Sequence, residues 1–224
     1  MATYDLEQQE QIDQFKQFWK QYGNLLTWLV LLVLSGFAAW NGYNWWQNQQ
    51  AAKAAGLYEE LDKAASQGDT KKVTQSFADL RKDYAGTTFA QQGALLAAKV
   101  AADHQDTTQT KAALQWLVDE GRNADLVAVA RLRLAGVQLD AKQYDDAIKT
   151  LSAKLPEEFE GLANDRRGDI FMVQGKKEQA VEAYQKAWKQ IDPAVDYRRF
   201  VEGKLVALGH APAPVADAAA SAAK

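Results

Sequence analysis

The chain has no cysteine among its 224 residues. That excludes disulfides, thiol redox chemistry, Cys-ligated zinc, and the lipid attachments that need a thiol. Histidine is nearly as scarce: the two present, His104 and His210, fall in a turn and in the terminal tail. Imidazole catalysis and histidine metal sites therefore lack their residues, and no group of His, Asp and Glu at helical spacing gathers more than two ligands. Only 4 prolines interrupt a chain rich in Ala, Gln, Lys, Glu and Leu, and no run alternates with period two. Strands are not expected, and without a strand there is no phosphate-binding loop. Acidic pairs such as Glu59-Glu60 and Asp145-Asp146 read as solvated helix faces. Lys and Arg number 26 against 29 Asp and Glu, with no basic block, which argues against nucleic acid as a partner. The expected protein is all-α, with no enzymatic activity, no cofactor and no small-molecule substrate.

The most localised absence is of charge. From Gln21 to Ala52 there is no Asp, Glu, Lys, Arg or His, in a chain that is 25% charged. The centre, Leu25 to Trp40, is apolar apart from Thr27, Ser35 and Gly36. Trp19 and Tyr22 precede it; Trp40, Tyr43, Trp45 and Trp46 close it. Tyr22 to Tyr43 spans about 31 Å at about 1.5 Å per helical residue, near the hydrocarbon thickness of a bilayer. Trp and Tyr favour the headgroup level, so two aromatic girdles at that separation mark two interfaces. A single N-terminal transmembrane helix is the reading, with Leu25, Trp28, Leu32, Trp40, Trp45 and Trp46 as anchor residues. A buried core helix would not need so long an uncharged run. A cleavable signal would need a basic start and a small-residue exit. Here Asp5, Glu7, Glu10 and Asp13 outnumber Lys16 and Lys20 before the run, and tryptophans follow it.

Lys16 and Lys20 before the span match Lys53 and Lys63 after it, so flanking charge leaves the orientation open. Leu6, Ile12, Phe15, Phe18, Trp19 and Tyr22 share one face of the preceding segment. That face either lies on the bilayer surface or prolongs the spanning helix. Ser35 and Ala39 form a small-xxx-small pair that would let a partner helix approach.

After the span, amphipathic segments alternate with turn signals such as Gln67-Gly68-Asp69, Asp103-His104-Gln105-Asp106, Ala141-Lys142-Gln143 and Gln174-Gly175-Lys176. They predict about four helix pairs and a last helix near Ala194–Leu208. The segments repeat. Gly168 and Phe171 on one helix face Ala180, Tyr184 and Ala187 on the next, the tetratricopeptide pattern of small residues where paired helices touch and aromatics between them. One repeat earlier stand Leu132, Leu134, Ala135 and Leu139, then Tyr144, Ala147, Ile148 and Leu151. Ala113, Ala147 and Ala180 are spaced by 34 and 33 residues. The first pair is irregular: Val73 lies 40 residues before Ala113, as a capping repeat can. The boundaries expected are 1–20 for an amphipathic segment, 21–48 for the anchor, 49–208 for the repeats, and 209–224 for a disordered Ala/Pro-rich tail.

Stacked helical repeats bind polypeptides along their inner helices. Arg133 and Arg166 occupy equivalent positions on two such helices and are candidates to pair with ligand carboxylates. Leu132, Leu139, Asp169 and Met172 are further candidates for the groove lining.

The N-terminal Tyr4-Asp5-Leu6-Glu7-Gln8-Gln9-Glu10-Gln11-Ile12-Asp13, the Phe18-Trp19-Lys20-Gln21-Tyr22-Gly23-Asn24 leading into the span, and Arg166-Arg167-Gly168-Asp169-Ile170 with Gln174-Gly175-Lys176-Lys177-Glu178-Gln179-Ala180 and Ala183-Tyr184-Gln185-Lys186-Ala187 together resemble the YfgM family, ancillary subunits of the bacterial SecYEG translocon. The likeness runs to about Leu208. The resemblance implies a single-pass inner-membrane protein with a cytoplasmic N-terminus and a periplasmic repeat domain. It further implies association with the translocon and with a membrane-anchored periplasmic chaperone of the prolyl-isomerase-like kind, serving newly exported polypeptides. An envelope or cell-division assembly scaffold using the same groove is the alternative; a related division coordinator would carry a cleavable signal instead of the anchor.

Overall fold

A computed structural model of the chain describes residues 3–212, and the described residues form nine α-helices and no strand. The expected tail, 209–224, lies mostly outside them. The first helix, α1 (Thr3–Ser66), does not break where the uncharged run ends; Gln47 to Ala55 contains no Pro or Gly to stop it. The chain forms two compact units, residues 1–52 and residues 53–224, and α1 contributes to both.

In the first unit, α1 carries its apolar residues on every side. Leu25, Trp28, Leu32, Trp40 and Trp45 are each 65–73% exposed, and Trp46 is 52% exposed. A helix apolar all round with nothing covering it is stable in hydrocarbon and not in water. It is the one described helix long and apolar enough to cross a membrane, with a mean hydropathy of 1.7 over its most apolar window. Its two hydroxyls within the apolar run bond the backbone: Thr27 Oγ1 donates to the Gly23 carbonyl at 2.7 Å, and Ser35 Oγ to Leu32 at 2.9 Å. This is how a lipid-facing helix satisfies hydroxyls.

The second unit stacks helix pairs. The end of α1 shares a core with α2 (Thr70–Asp83) through Leu61, Phe77 and Leu80, while α3 (Thr88–Asp103) pairs with α4 (Thr107–Glu120), α5 (Ala124–Asp140) with α6 (Tyr144–Leu151), and α7 (Glu157–Val173) with α8 (Lys177–Gln190); α9 (Tyr197–Ala207) closes the stack. Starts are set by side chains. Asp69, Thr87, Asp106 and Asn123 each accept a hydrogen bond from a backbone N–H in the first turn of the following helix.

One turn recurs throughout. At Gly68, Gln105, Lys142, Gly175 and Gly209 the backbone takes φ between +59° and +79°. In each case that residue's N–H bonds three residues back and the next N–H bonds five residues back, as in Gly175 to Met172 and Lys176 to Phe171. This is the Schellman ending, in which a left-handed residue satisfies the last carbonyls. The five turns are spaced 37, 37, 33 and 34 residues apart. The repeat is therefore continuous to the last helix. The irregular 40-residue step of the sequence pattern is a shift in which side chain packs, over a backbone period of 37.

Three core clusters run along the stack. Leu61 of α1 packs with Phe77 and Leu80 of α2, Ala94 of α3 and Leu117 of α4. Ala128, Ala135, Ala147, Leu151 and Ile170 form the second, and Ala180, Tyr184, Ala187, Val201 and Leu205 the third. At Gly168 a Cβ would stand 2.3 Å from Cε1 of Tyr184. The glycine lets the tyrosine ring press against the backbone of α7. The short α6 has no glycine ending; Arg131 and Arg167 from its neighbours donate to the Thr150 and Leu151 carbonyls instead.

Candidate binding groove

α3, α5 and α7 pack side by side and form the inner wall of the stack. Arg133 projects from α5, exposed and without an ion pair among the described residues. Arg166 reaches from α7 to Gly136 of α5, its guanidinium carbon 4.0 Å from where a Cβ would stand. Gly136 lies one turn from Arg133, so the two arginines share a face of the wall. Leu132 and Leu139 are half-buried against the second core, and Met172 against the third. Their side chains pack into the cores of the stack.

Asp169 is engaged within the fold. It accepts from Tyr184 Oη at 2.9 Å and from Lys204 Nζ at 2.7 Å, and Arg166 stands 3.8 Å away. Its neighbour one turn back, Asp165, is the centre of the same cluster. The Asp165 side chain is 2% exposed, takes both carboxylate oxygens to Lys204 Nζ at 2.8 and 2.9 Å, and accepts from Tyr197 Oη at 2.7 Å. The Lys204 ammonium also lies 5.1 Å from the Tyr184 ring centroid. One cation from α9 thus bridges two carboxylates of α7, and two phenols complete their hydrogen bonds.

Burial, the hydrogen bond to Asp169 and the nearby carboxylates push the Tyr184 phenol well above its ordinary value. Burial and the bond to Asp165 do the same to Tyr197. Both tyrosines are held as donors. The arrangement anchors α9 on α7 and closes this end of the wall, leaving the arginine face of α5 and α7 as the accessible part.

Asp165, Tyr197 and Lys204 carry no local signal of this role. Asp165 and Asp169 read as one more pair of helix acids, and their partners on α9 lie 32 to 39 residues away. Gln91 is similar: buried in α3, its Oε1 accepts the backbone N–H groups of Arg122 and Asn123, each at 2.9 Å, in the loop before α5. A buried glutamine that serves a loop 31 residues on is visible only in three dimensions.

The chain matches the model of the tetratricopeptide repeat-like domain over residues 16–210, a match that takes in the apolar helix as well as the repeats. A Neisseria gonorrhoeae protein named "Ancillary SecYEG translocon subunit" is 29% identical over 212 residues, covering 93% of this chain and 100% of the relative. Proteins of the same name from Escherichia coli and Haemophilus influenzae are 29% and 27% identical, over 87% and 83% of this chain and 94% and 90% of their own lengths. With its paired helices, its recurring turn and a match over residues 16–210, the chain belongs to the tetratricopeptide repeat-like domain family, and it is similar along most of its length to proteins named ancillary SecYEG translocon subunit.

Proposed function

We propose that this chain is a non-catalytic, membrane-anchored adaptor that associates with the SecYEG translocon and assists a membrane-anchored periplasmic chaperone acting on newly exported polypeptides. The observation that carries the reading is that the likeness to the translocon subunits spans anchor and repeats together. A protein borrowing only the repeat scaffold would match from the second unit onward. In this reading α1 crosses the bacterial inner membrane once, with the N-terminus in the cytoplasm and the repeats in the periplasm. The face carrying Arg133 and Arg166, with Leu132, Leu139 and Met172 behind it, meets the partner. Two guanidiniums on a partly apolar wall suit a polypeptide carrying carboxylates. Asp169 contributes by holding Arg166 in place.

Crosslinking in intact membranes followed by affinity isolation tests the reading. SecYEG components together with a periplasmic chaperone are expected to co-isolate. Recovery of envelope-synthesis or division proteins without translocon subunits would replace it with the assembly-scaffold alternative.

A further inference from the structure

The stack holds a second concavity, away from the inner wall. α2 and α4 both pack on α3 without packing closely on each other, and between them lies a cleft of about 570 Å³. Its width follows from the residues that line it. Ala78, Ala97, Ala101, Ala112 and Ala113 stand where longer side chains would close the gap. Below them Val73, Phe77 and Val100 give an apolar floor, and the Phe77 ring is held edge-on by Trp116 at a centroid distance of 5.6 Å. A volume of this size falls within the roughly 300–1,000 Å³ of sites that enclose a ligand.

The rim is cationic. Lys71 and Arg81 border the cleft. The one carboxylate there, Asp106, accepts the Gln109 N–H at 2.9 Å, and the two cations outnumber it. Arg81 lies 5.9 Å from the Phe77 ring centroid, which keeps its guanidinium over the apolar floor. Among the described residues neither Lys71 nor Arg81 has an ion pair. The contrast with α7 is direct: there Lys204 and Arg166 are paired with Asp165 and Asp169. A single hydrogen bond spans the opening, from Thr74 Oγ1 to Gln109 Oε1 at 2.9 Å, between exposed side chains that water can replace.

We propose that this cleft docks an acidic amphipathic segment of a partner polypeptide, its apolar side chains on Phe77 and Val100 and its carboxylates on Lys71 and Arg81. Apolar floor and unneutralised rim call for both features in one ligand. A purely apolar segment would leave the cations unpaired, and a purely acidic one would leave the floor uncovered. The site is separate from the Arg133–Arg166 wall and does not depend on which membrane assembly the protein joins.

The test uses the full chain in non-ionic detergent micelles and two fluorescein-labelled peptides, EELLFEE and KKLLFKK, read by anisotropy. The acidic peptide is expected to bind about tenfold more tightly than the basic one, as two exposed ion pairs allow. Lys71→Glu with Arg81→Glu, both exposed positions, is expected to invert the preference. Ala101→Leu, which narrows the gap above the floor, is expected to weaken the acidic peptide at unchanged helical content. Equal binding of both peptides, no binding of either, or a preference unmoved by charge reversal would overturn the proposal. So would phosphatidylglycerol displacing the acidic peptide from the wild type but not competing in the reversed variant, since that outcome assigns the cleft to a lipid headgroup.

Discussion

Gly168 and Tyr184 show how a single missing side chain sets the distance between two helices. With Cβ of any other residue 2.3 Å from the ring, either the ring leaves or the helices part. Gly168→Leu is expected to cost about 1–3 kcal/mol or more by overpacking, a fall in Tm of at least roughly 2–4 °C. An unchanged Tm by circular dichroism would undo the repeat alignment. The same tyrosine makes stability depend on pH. Because the fold raises the Tyr184 phenol above its unfolded value, its contribution is complete below about pH 10 and is lost as pH climbs beyond that point. Stability is therefore expected to hold through pH 9 and then drop. Tyr184→Phe should flatten the alkaline limb in pH-dependent urea melts, whereas an unaltered slope would assign the loss to other groups. Of these residues Gly168 and Tyr184 could be read from their spacing alone. Asp165 and Lys204 could not: they are 39 positions apart and meet only once α9 lies across α7.

At the scale of elements, the recurring turn is the more regular feature and the helices are the variable one. α6 has 8 residues where α8 has 14, yet both follow a left-handed residue bonded in the same way. Two of the five turns place a residue with a side chain in that conformation, Gln105 at φ 60° and Lys142 at φ 59°. A non-glycine residue there carries a steric cost of about 1–2 kcal/mol, partly offset by the greater freedom glycine has when unfolded. Lys142→Gly is expected to raise stability by about 0.5–1 kcal/mol, visible as a higher urea midpoint with unchanged m; a lower midpoint would mean that the Lys142 side chain holds the turn. Helix α1 follows a different logic from the others. Its apolar residues point in all directions because its intended surroundings are not protein, and its aromatic residues gather where a bilayer would end.

For the whole molecule, the anchor limits where the repeats can act. A tethered stack searches the membrane surface and not the bulk compartment, so a weak groove can serve a partner held beside it. Which side it searches follows from the orientation of α1. A reporter that is active only in the periplasm, fused after Leu208, is expected to be active; activity of a cytoplasmic reporter at the same junction would reverse the orientation and the choice of partners with it.

The linear sequence determined the all-α class, the apolar span and the repeat, because each is written in residues three, four or about thirty-three positions apart. A helix face declares what it buries through local periodicity, and a span through its length without charge. The tertiary structure alone decided the 37-residue period of the early turns. It alone also brought Lys204 to Asp165 and Asp169, and opened the cleft between α2 and α4. Those features depend on the angle and spacing at which successive pairs stack. That geometry is set by the summed packing of many side chains, Gly168 under Tyr184 among them, and no local stretch of sequence contains it.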